Sequence, residues 1–157
     1  LKVYTGKKYK TVTITTGTNG IAQYKDASVL SVAKHKVSVS CGESTSYMTA
    51  TAKTSYITVK KAPTTVSAPK VTNKYKKSAY FKVTVKNKVT GKVVSGLKLK
   101  IKVYTGKKYK TYTVKTNSKG VASLNTKGLS KGTHKVVIKS GNKYYTVSKS
   151  GKLIVIK

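Results

Sequence analysis

Apolar and polar positions alternate along this chain in short runs, and no run keeps a helical period for the length of a helix. Leu1 and Val3 alternate with Lys2 and Tyr4, the period-two pattern of a half-buried strand. Gly6, Lys7 and Lys8 make the turn, and Val12 and Ile14 supply the inward face of the next predicted strand. Gly20 closes a turn after Thr18 and Asn19, a position that tolerates positive φ, and Ile21, Ala22 and Tyr24 predict another short strand. Residues 29–33 are too few for a helix and read as a loop leading to a strand over 35–40. Gly42 turns the chain, residues 44–52 return it, and 56–60 predict a closing strand.

Pro63 and Pro69, the two prolines, lack the donor that a central strand requires, so they mark a linker and an edge strand. Residues 66–71 then open a second part. Phe81, Val83 and Val85 share one face over 80–85, and 87–91 form a polar turn. Leu97, Leu99, Ile101 and Val103 share one face over 93–103, with Lys98, Lys100 and Lys102 directed to water.

From there the order of the first part returns. Residues 1–11 read LKVYTGKKYKT and residues 101–111 read IKVYTGKKYKT, so the chain contains an internal duplication. The match continues without a gap through Gly20 and Gly120. After one inserted residue in the first copy, Leu30 meets Leu129, His35 meets His134, and Cys41 meets Ser140. With two more inserted, Tyr56 meets Leu153. Residues 65–100 have no counterpart before Leu1, so the first unit, 1–62, is expected to lack opening strands that the second, 63–157, possesses. A β-sandwich short of two strands exposes edges and a core face. Either the chain is a piece of a longer array or another chain supplies the strands. Short strands separated by turn signals every eight to twelve residues predict an all-β sandwich of immunoglobulin-like size.

The charge changes the picture more than the length does. There are 34 basic residues, all lysine, against Asp26 and Glu43, for a net charge of +32. Partners of opposite sign come into view: nucleic acid, anionic polymer or an acidic cell surface. Arginine performs most bidentate reading of guanine edges and phosphates, so its absence argues against sequence-specific nucleic-acid binding. The lysine-rich hairpin nominates Lys98, Lys100, Lys102, Lys107, Lys108 and Lys110 as candidate polyanion contacts. Twelve tyrosines interleave with lysine. Such residues can grip sugars, but tyrosine also covers a sheet with its ring while its hydroxyl stays wet, and the second role is expected. No apolar run reaches the ~18 residues a membrane helix needs.

Catalytic chemistry finds little material. Two carboxylates, both in the first unit, supply no recurring acid–base pair, and the second unit's His134 has no acidic partner in its own unit. A structural or surface role is expected for His35 and His134. No phosphate loop and no zinc-spaced His/Cys cluster occurs, so no cofactor or metal site is assigned and the chain is expected not to be an enzyme. Cys41, the single cysteine, is expected to be a buried or half-buried small residue; an intermolecular disulfide and a thioester with Gln23 have no motif behind them. A Lys–Asn isopeptide crosslink needs a neighbouring carboxyl, which the second unit lacks.

The segments VTNKYKKSAYFKVTVKN, VVSGLKLKIKVYTGKKYKTYTVKTNSKGVA and LSKGTHKVVIKSGNKYY, with the closing LIVIK, resemble the tandem immunoglobulin-like repeats of adhesin-like surface proteins of methanogenic archaea of the Methanobrevibacter type. The resemblance covers the second unit and the first from Leu1 onward. It implies an extracellular, cell-surface protein of stacked sandwich domains acting as stalk or adhesin, with neighbouring repeats as partners and no catalytic residues. A self-assembling filament completed by strand exchange, and a lysine-rich module binding anionic cell-wall polymer, stand as alternatives.

Overall fold

The computed structural model describes residues 1–24, 30–43 and 45–156; among them lie thirteen strands and no helix. Contacts divide the chain into two compact units, Leu1–Lys60 and Lys61–Lys157. The sequence reading placed the boundary two residues later.

Unit 1 holds one sheet among its described residues. β1 (Lys2–Tyr4) and β2 (Tyr9–Thr11) form a hairpin, β3 (Lys34–Cys41) pairs antiparallel with β1, and β4 (Ala50–Thr58) pairs antiparallel with β3, in the order β2-β1-β3-β4. The hairpin closes where Thr5 N donates to Lys8 O at 2.9 Å, with Gly6 at φ 101°. Val3, Leu30 and Val37 are buried, packed with Leu1, Ile57 and Val59.

Two expectations fail here. Residues 12–24 carry no strand, although Val12 exchanges two hydrogen bonds with Leu1. The predicted separate strands over 44–52 and 56–60 are one continuous β4, which opposes β3 with a register shift between Val39 and Cys41. Val29 and Ser44, the first residues of two expected segments, lie outside the described residues.

Unit 2 has two sheets. The first runs β10-β7-β5-β12, from β10 (Val121–Asn125), β7 (Tyr80–Asn87), β5 (Ala62–Ser67) and β12 (Tyr145–Thr146). The second runs β6-β13-β11-β8-β9, from β6 (Val71–Lys74), β13 (Ser148–Ile156), β11 (Gly132–Lys139), β8 (Lys98–Thr105) and β9 (Lys108–Lys115). Both are mixed, since β12 runs parallel to β5 and β6 parallel to β13. Phe81, Val83 and Val85 of the first sheet share one cluster with Leu99, Ile101, Val103, Val136, Ile138, Leu153 and Val155 of the second. Two sheets that join their apolar faces in this way are compatible with a β-sandwich.

Pro63 falls inside β5 and not in a linker. The strand tolerates it because its outer neighbour β12 is two residues long. There Ala62 N donates to Tyr144 O at 2.8 Å and the Thr64 hydroxyl to Thr146 O at 2.7 Å, so no donor is needed at Pro63. Three buried polar residues hold the ends of the core. Thr116 Oγ1 donates to Val94 O at 2.7 Å and accepts from Leu97 N at 2.8 Å. Asn73 Nδ2 donates to Thr126 Oγ1 at 2.9 Å, and that hydroxyl donates to Ala79 O at 3.0 Å.

The ladders correct the alignment of the two copies. His35 opposes Ile57 in unit 1, and His134 opposes Leu153 in unit 2. Ile57 therefore corresponds to Leu153 and Tyr56 to Lys152, one residue away from the sequence match. An apolar-for-apolar match of Tyr56 to Leu153 misleads because a one-residue slip exchanges the two faces of a strand.

Candidate functional site

A strand directs alternate side chains to opposite faces, and directly opposed residues of an antiparallel pair share a face. In the β8–β9 hairpin the two-residue turn Gly106 and Lys107, with Gly106 at φ 60°, fixes which residues oppose one another. Leu99, Ile101 and Val103 face the core, so Lys98, Lys100, Lys102 and Tyr104 face out, opposite Lys115, Thr113, Thr111 and Tyr109. On the other side of β8, Lys139 opposes Lys100 and Val137 opposes Lys102. Farther across the outer face, Lys135 opposes Lys152 between β11 and β13.

This geometry divides the lysines nominated from sequence. Lys98, Lys100 and Lys102 stay together on the outer face. Lys108 and Lys110 oppose Thr105 and Val103 and so belong to the core side of the sheet, past the core's rim; Lys107 sits in the turn. Lys110 Nζ lies 5.4 Å from the Tyr112 ring on that side. The set of six is therefore not one site. Lys102 is half-buried, its Nζ 4.1 Å above the Tyr109 ring, and Tyr109 in turn tilts against Tyr104 at 5.3 Å. Tyrosine here covers the sheet and partners lysine from the same hairpin.

Sequence reasoning missed Lys115, Lys139 and Asn142. Counting outward from the Gly106–Lys107 turn pairs Lys98 with Lys115, so that signal was present. The placement of Asn142 depends on a loop fold that no periodicity encodes. Gly96, Lys98, Lys100, Thr113, Lys115 and residues 140–142 enclose a concavity of about 500 Å³. Its wall is pinned: Ser140 Oγ donates to Lys98 O at 2.7 Å and accepts from Asn142 N at 3.2 Å, while Asn142 Oδ1 accepts from Tyr144 N at 2.7 Å and Tyr145 N at 3.1 Å. A second concavity of about 350 Å³ lies beside Tyr75, Lys76, Lys127 and Leu129.

The two histidines occupy equivalent, buried positions. His35 Nδ1 lies 2.9 Å from Tyr4 O and Nε2 2.8 Å from Ser31 O; His134 Nδ1 lies 2.9 Å from Tyr104 O and Nε2 2.9 Å from Ser130 O. The Thr105 hydroxyl adds a contact to His134 Nδ1 at 3.2 Å. A neutral imidazole donates to one such carbonyl at a time, and an imidazolium to both. Each ring ties the end of a hairpin strand to the loop before its own strand. With both nitrogens against backbone oxygen, neither stands open to a substrate.

Among the described residues no three His, Cys, Asp or Glu side chains gather as a metal site. Cys41 ends β3 and is exposed, not buried as expected; its thiol lies 3.5 Å from Gly42 O. Gln23 and Glu43 are exposed, and Asp26 lies outside the described residues. No helix of the described residues is long and apolar enough to cross a membrane.

No protein-family profile matches the chain, and no curated protein matches it in sequence. Among solved structures it is similar to the endo-β-1,4-mannanase from Thermotoga petrophila, at 14% identity and a TM-score of 0.41, over 63% of this chain and 20% of that one. The chain thus spans a fifth of the length of that enzyme.

Proposed function

We propose that the chain is a non-catalytic structural and adhesive module of an extracellular, cell-surface protein, built from tandem immunoglobulin-like β-sandwich repeats of which unit 1 is the incomplete one. The observation that carries this reading is the repetition of one anchored scaffold. Each unit sets a hairpin, a loop and a buried histidine in the same relation, with the same pair of carbonyl partners. Modules repeated in one chain serve length and display, since each is stabilised by its own core and its neighbours. The engagement of both imidazoles by backbone oxygen favours an architectural role for the two residues best suited to acid–base work.

Sedimentation and negative-stain microscopy of the full chain, beside residues 61–157 alone, test the reading. Monomers in both cases, with 61–157 unfolding cooperatively, are the expected outcome. Aggregation of 61–157 with no cooperative transition overturns it.

A second reading has its own observation. Among its described residues unit 1 buries three apolar side chains in its cluster, where unit 2 adds Phe81, Val83 and Val85 from a second sheet. A strand pair of the β5–β7 kind from another copy could complete it by β-strand addition, giving an extracellular filament. Regular fibres from the full chain and not from 61–157 select that reading.

A further inference from the structure

The outer face of β8 brings like charges into direct opposition. Lys98 stands opposite Lys115, and Lys100 opposite Lys139. Directly opposed like charges destabilise a sheet. Unit 2 contains no carboxylate to relieve them, because Asp26 and Glu43, the only two in the chain, both belong to Leu1–Lys60. The arrangement also has shape. Lys98, Lys100 and Lys102 occupy alternate positions of one strand, a run of about 13 Å, with Lys115 and Lys139 one strand away on either side at about 5 Å. At the Lys98 end the run enters the concavity walled by residues 140–142, where the Lys115 side chain passes close to Gly96.

Unit 1 differs at the positions where it can be set against this strip. At the positions of Lys139, Ser140 and Asn142 it has Ser40, Cys41 and Glu43, which puts an acid where unit 2 has an amide. The feature belongs to unit 2 and is not a general consequence of lysine abundance.

We propose that the Lys98–Lys100–Lys115 concavity, continued along β8 by Lys102 and Lys139, is a docking strip for an anionic polysaccharide, its carboxylate or sulfate groups set against the lysines. Several cations in a line suit a polymer better than a single anion, because each contact releases a counterion. The face favours a polysaccharide over nucleic acid. It offers ammonium groups and no guanidinium fork. Its two tyrosines tilt against one another with Lys102 over the Tyr109 ring, so a base stacking on that ring would compete with a cation already there. Asn142 and Thr113 add neutral polar groups at the concavity, suited to sugar hydroxyls. The inference rests on the adhesive reading for its setting, and sedimentation tests that reading without polymer, so the two fail separately.

The test uses the full chain with polygalacturonate and dextran sulfate as carboxylate and sulfate probes. Neutral dextran and a single-stranded oligonucleotide of matched charge are the comparators. The strip variant K98Q/K100Q/K115Q is set against K82Q/K88Q/K119Q, which removes the same charge elsewhere in unit 2. At least one anionic polysaccharide is expected to bind, with the strip variant weaker by tenfold or more and the control by less than threefold. The slope of log affinity against log salt should fall by about two to three in the strip variant. Equal weakening in both variants, absence of binding to both polysaccharides, or tighter binding of the oligonucleotide overturns the proposal. NMR titration of the native chain with short galacturonate oligomers needs no variant. Shifts must concentrate at β8, β9 and residues 140–142, and shifts confined to β7 or to unit 1 refute the strip.

Discussion

The same eleven-residue string, differing only at Leu1 and Ile101, builds two different surroundings in one chain. In unit 2 its hairpin lies over a second sheet, and the inward apolar positions of β8 and β11, Leu99, Ile101, Val103, Val136 and Ile138, become core. In unit 1 the corresponding sheet has no second layer among the described residues, and the burial pattern stops early: Val37 is buried, yet Val39 is 46% exposed. Its counterpart Ile138 is fully buried. What the copies keep in common is the hairpin and the histidine anchor. What they do not share is whatever depends on β5, β6 and β7. The burial of a residue in this fold is thus set by the opposing sheet and not by its own strand.

Ile138 and Val39 provide the widest separation between the units. Removing a fully buried isoleucine side chain leaves a cavity, so Ile138→Ala should destabilise unit 2 by about 2–5 kcal/mol. Val39→Ala, half exposed and outside the cluster of Val3, Leu30 and Val37, should cost unit 1 less than about 0.5 kcal/mol. Hydrogen exchange at amides of each unit separates the two effects. Equal losses would show that unit 1 has a core as complete as that of unit 2.

The histidines probe the opposite claim, that the anchor is common to both. His134→Leu and His35→Leu each remove a ring whose two nitrogens both lie against backbone carbonyl oxygens, and so take away the N–H that serves them. Each should cost its own unit about 2–4 kcal/mol, measured by the same exchange. A large effect in unit 2 alone would mean that the anchor matters only where a second sheet packs against the first.

Gly20 and Gly120 share φ 72° and differ in what surrounds them. A Cβ on Gly120 would stand 2.8 Å from Val85 O and 2.9 Å from Val93 Cβ, while one on Gly20 meets nothing within 4 Å. Gly120→Ala combines backbone strain with overpacking and should cost about 2–3 kcal/mol; Gly20→Ala carries the strain alone, about 1 kcal/mol. Urea unfolding followed by unit-specific amides checks the ratio. Similar values would place a second layer over the Gly20 turn.

These pairs also show where the sequence was readable. Alternation in 98–103 and 80–85 located the two faces of the core, because side chains on both faces obey period two regardless of context. The same alternation at Val12, Ile14 and Ile21 predicted strands that do not form. β10 exists because it pairs with β7, Val121 opposite Thr84 and Leu124 opposite Phe81. No described strand of unit 1 offers Ile21 and Ala22 such a ladder, and isolated backbone donors prefer water. The lysine site was half legible for a related reason. The outward face followed from alternation, but Lys108 and Lys110 change sides only when counted from the turn. The loop that brings Asn142 to Lys98 follows from Asx and hydroxyl bonds, which leave no periodic trace.

The smallest predicted effect concerns charge on the outer face. Unit 2 opposes Lys135 with Lys152, whereas unit 1 opposes the equivalent Lys36 with Tyr56, and Lys34 Nζ lies 4.1 Å from that tyrosine ring. Tyrosine in place of lysine removes a repulsion, adds strand propensity and gives a neighbouring cation a ring face. Lys152→Tyr therefore imports the solution of unit 1 into unit 2. Cross-strand pairs are worth about 0.2–1 kcal/mol, and much of that is screened at an exposed site, so the expected rise in Tm is about 1–3 °C in low salt. The rise should shrink as salt is added, since added ions relieve the same repulsion in the parent chain. A rise independent of salt would assign the gain to tyrosine packing, and no rise at all would mean that the Lys135–Lys152 opposition costs unit 2 nothing, leaving Lys98–Lys115 and Lys100–Lys139 as the only pairs where a bound polyanion could repay the clustering.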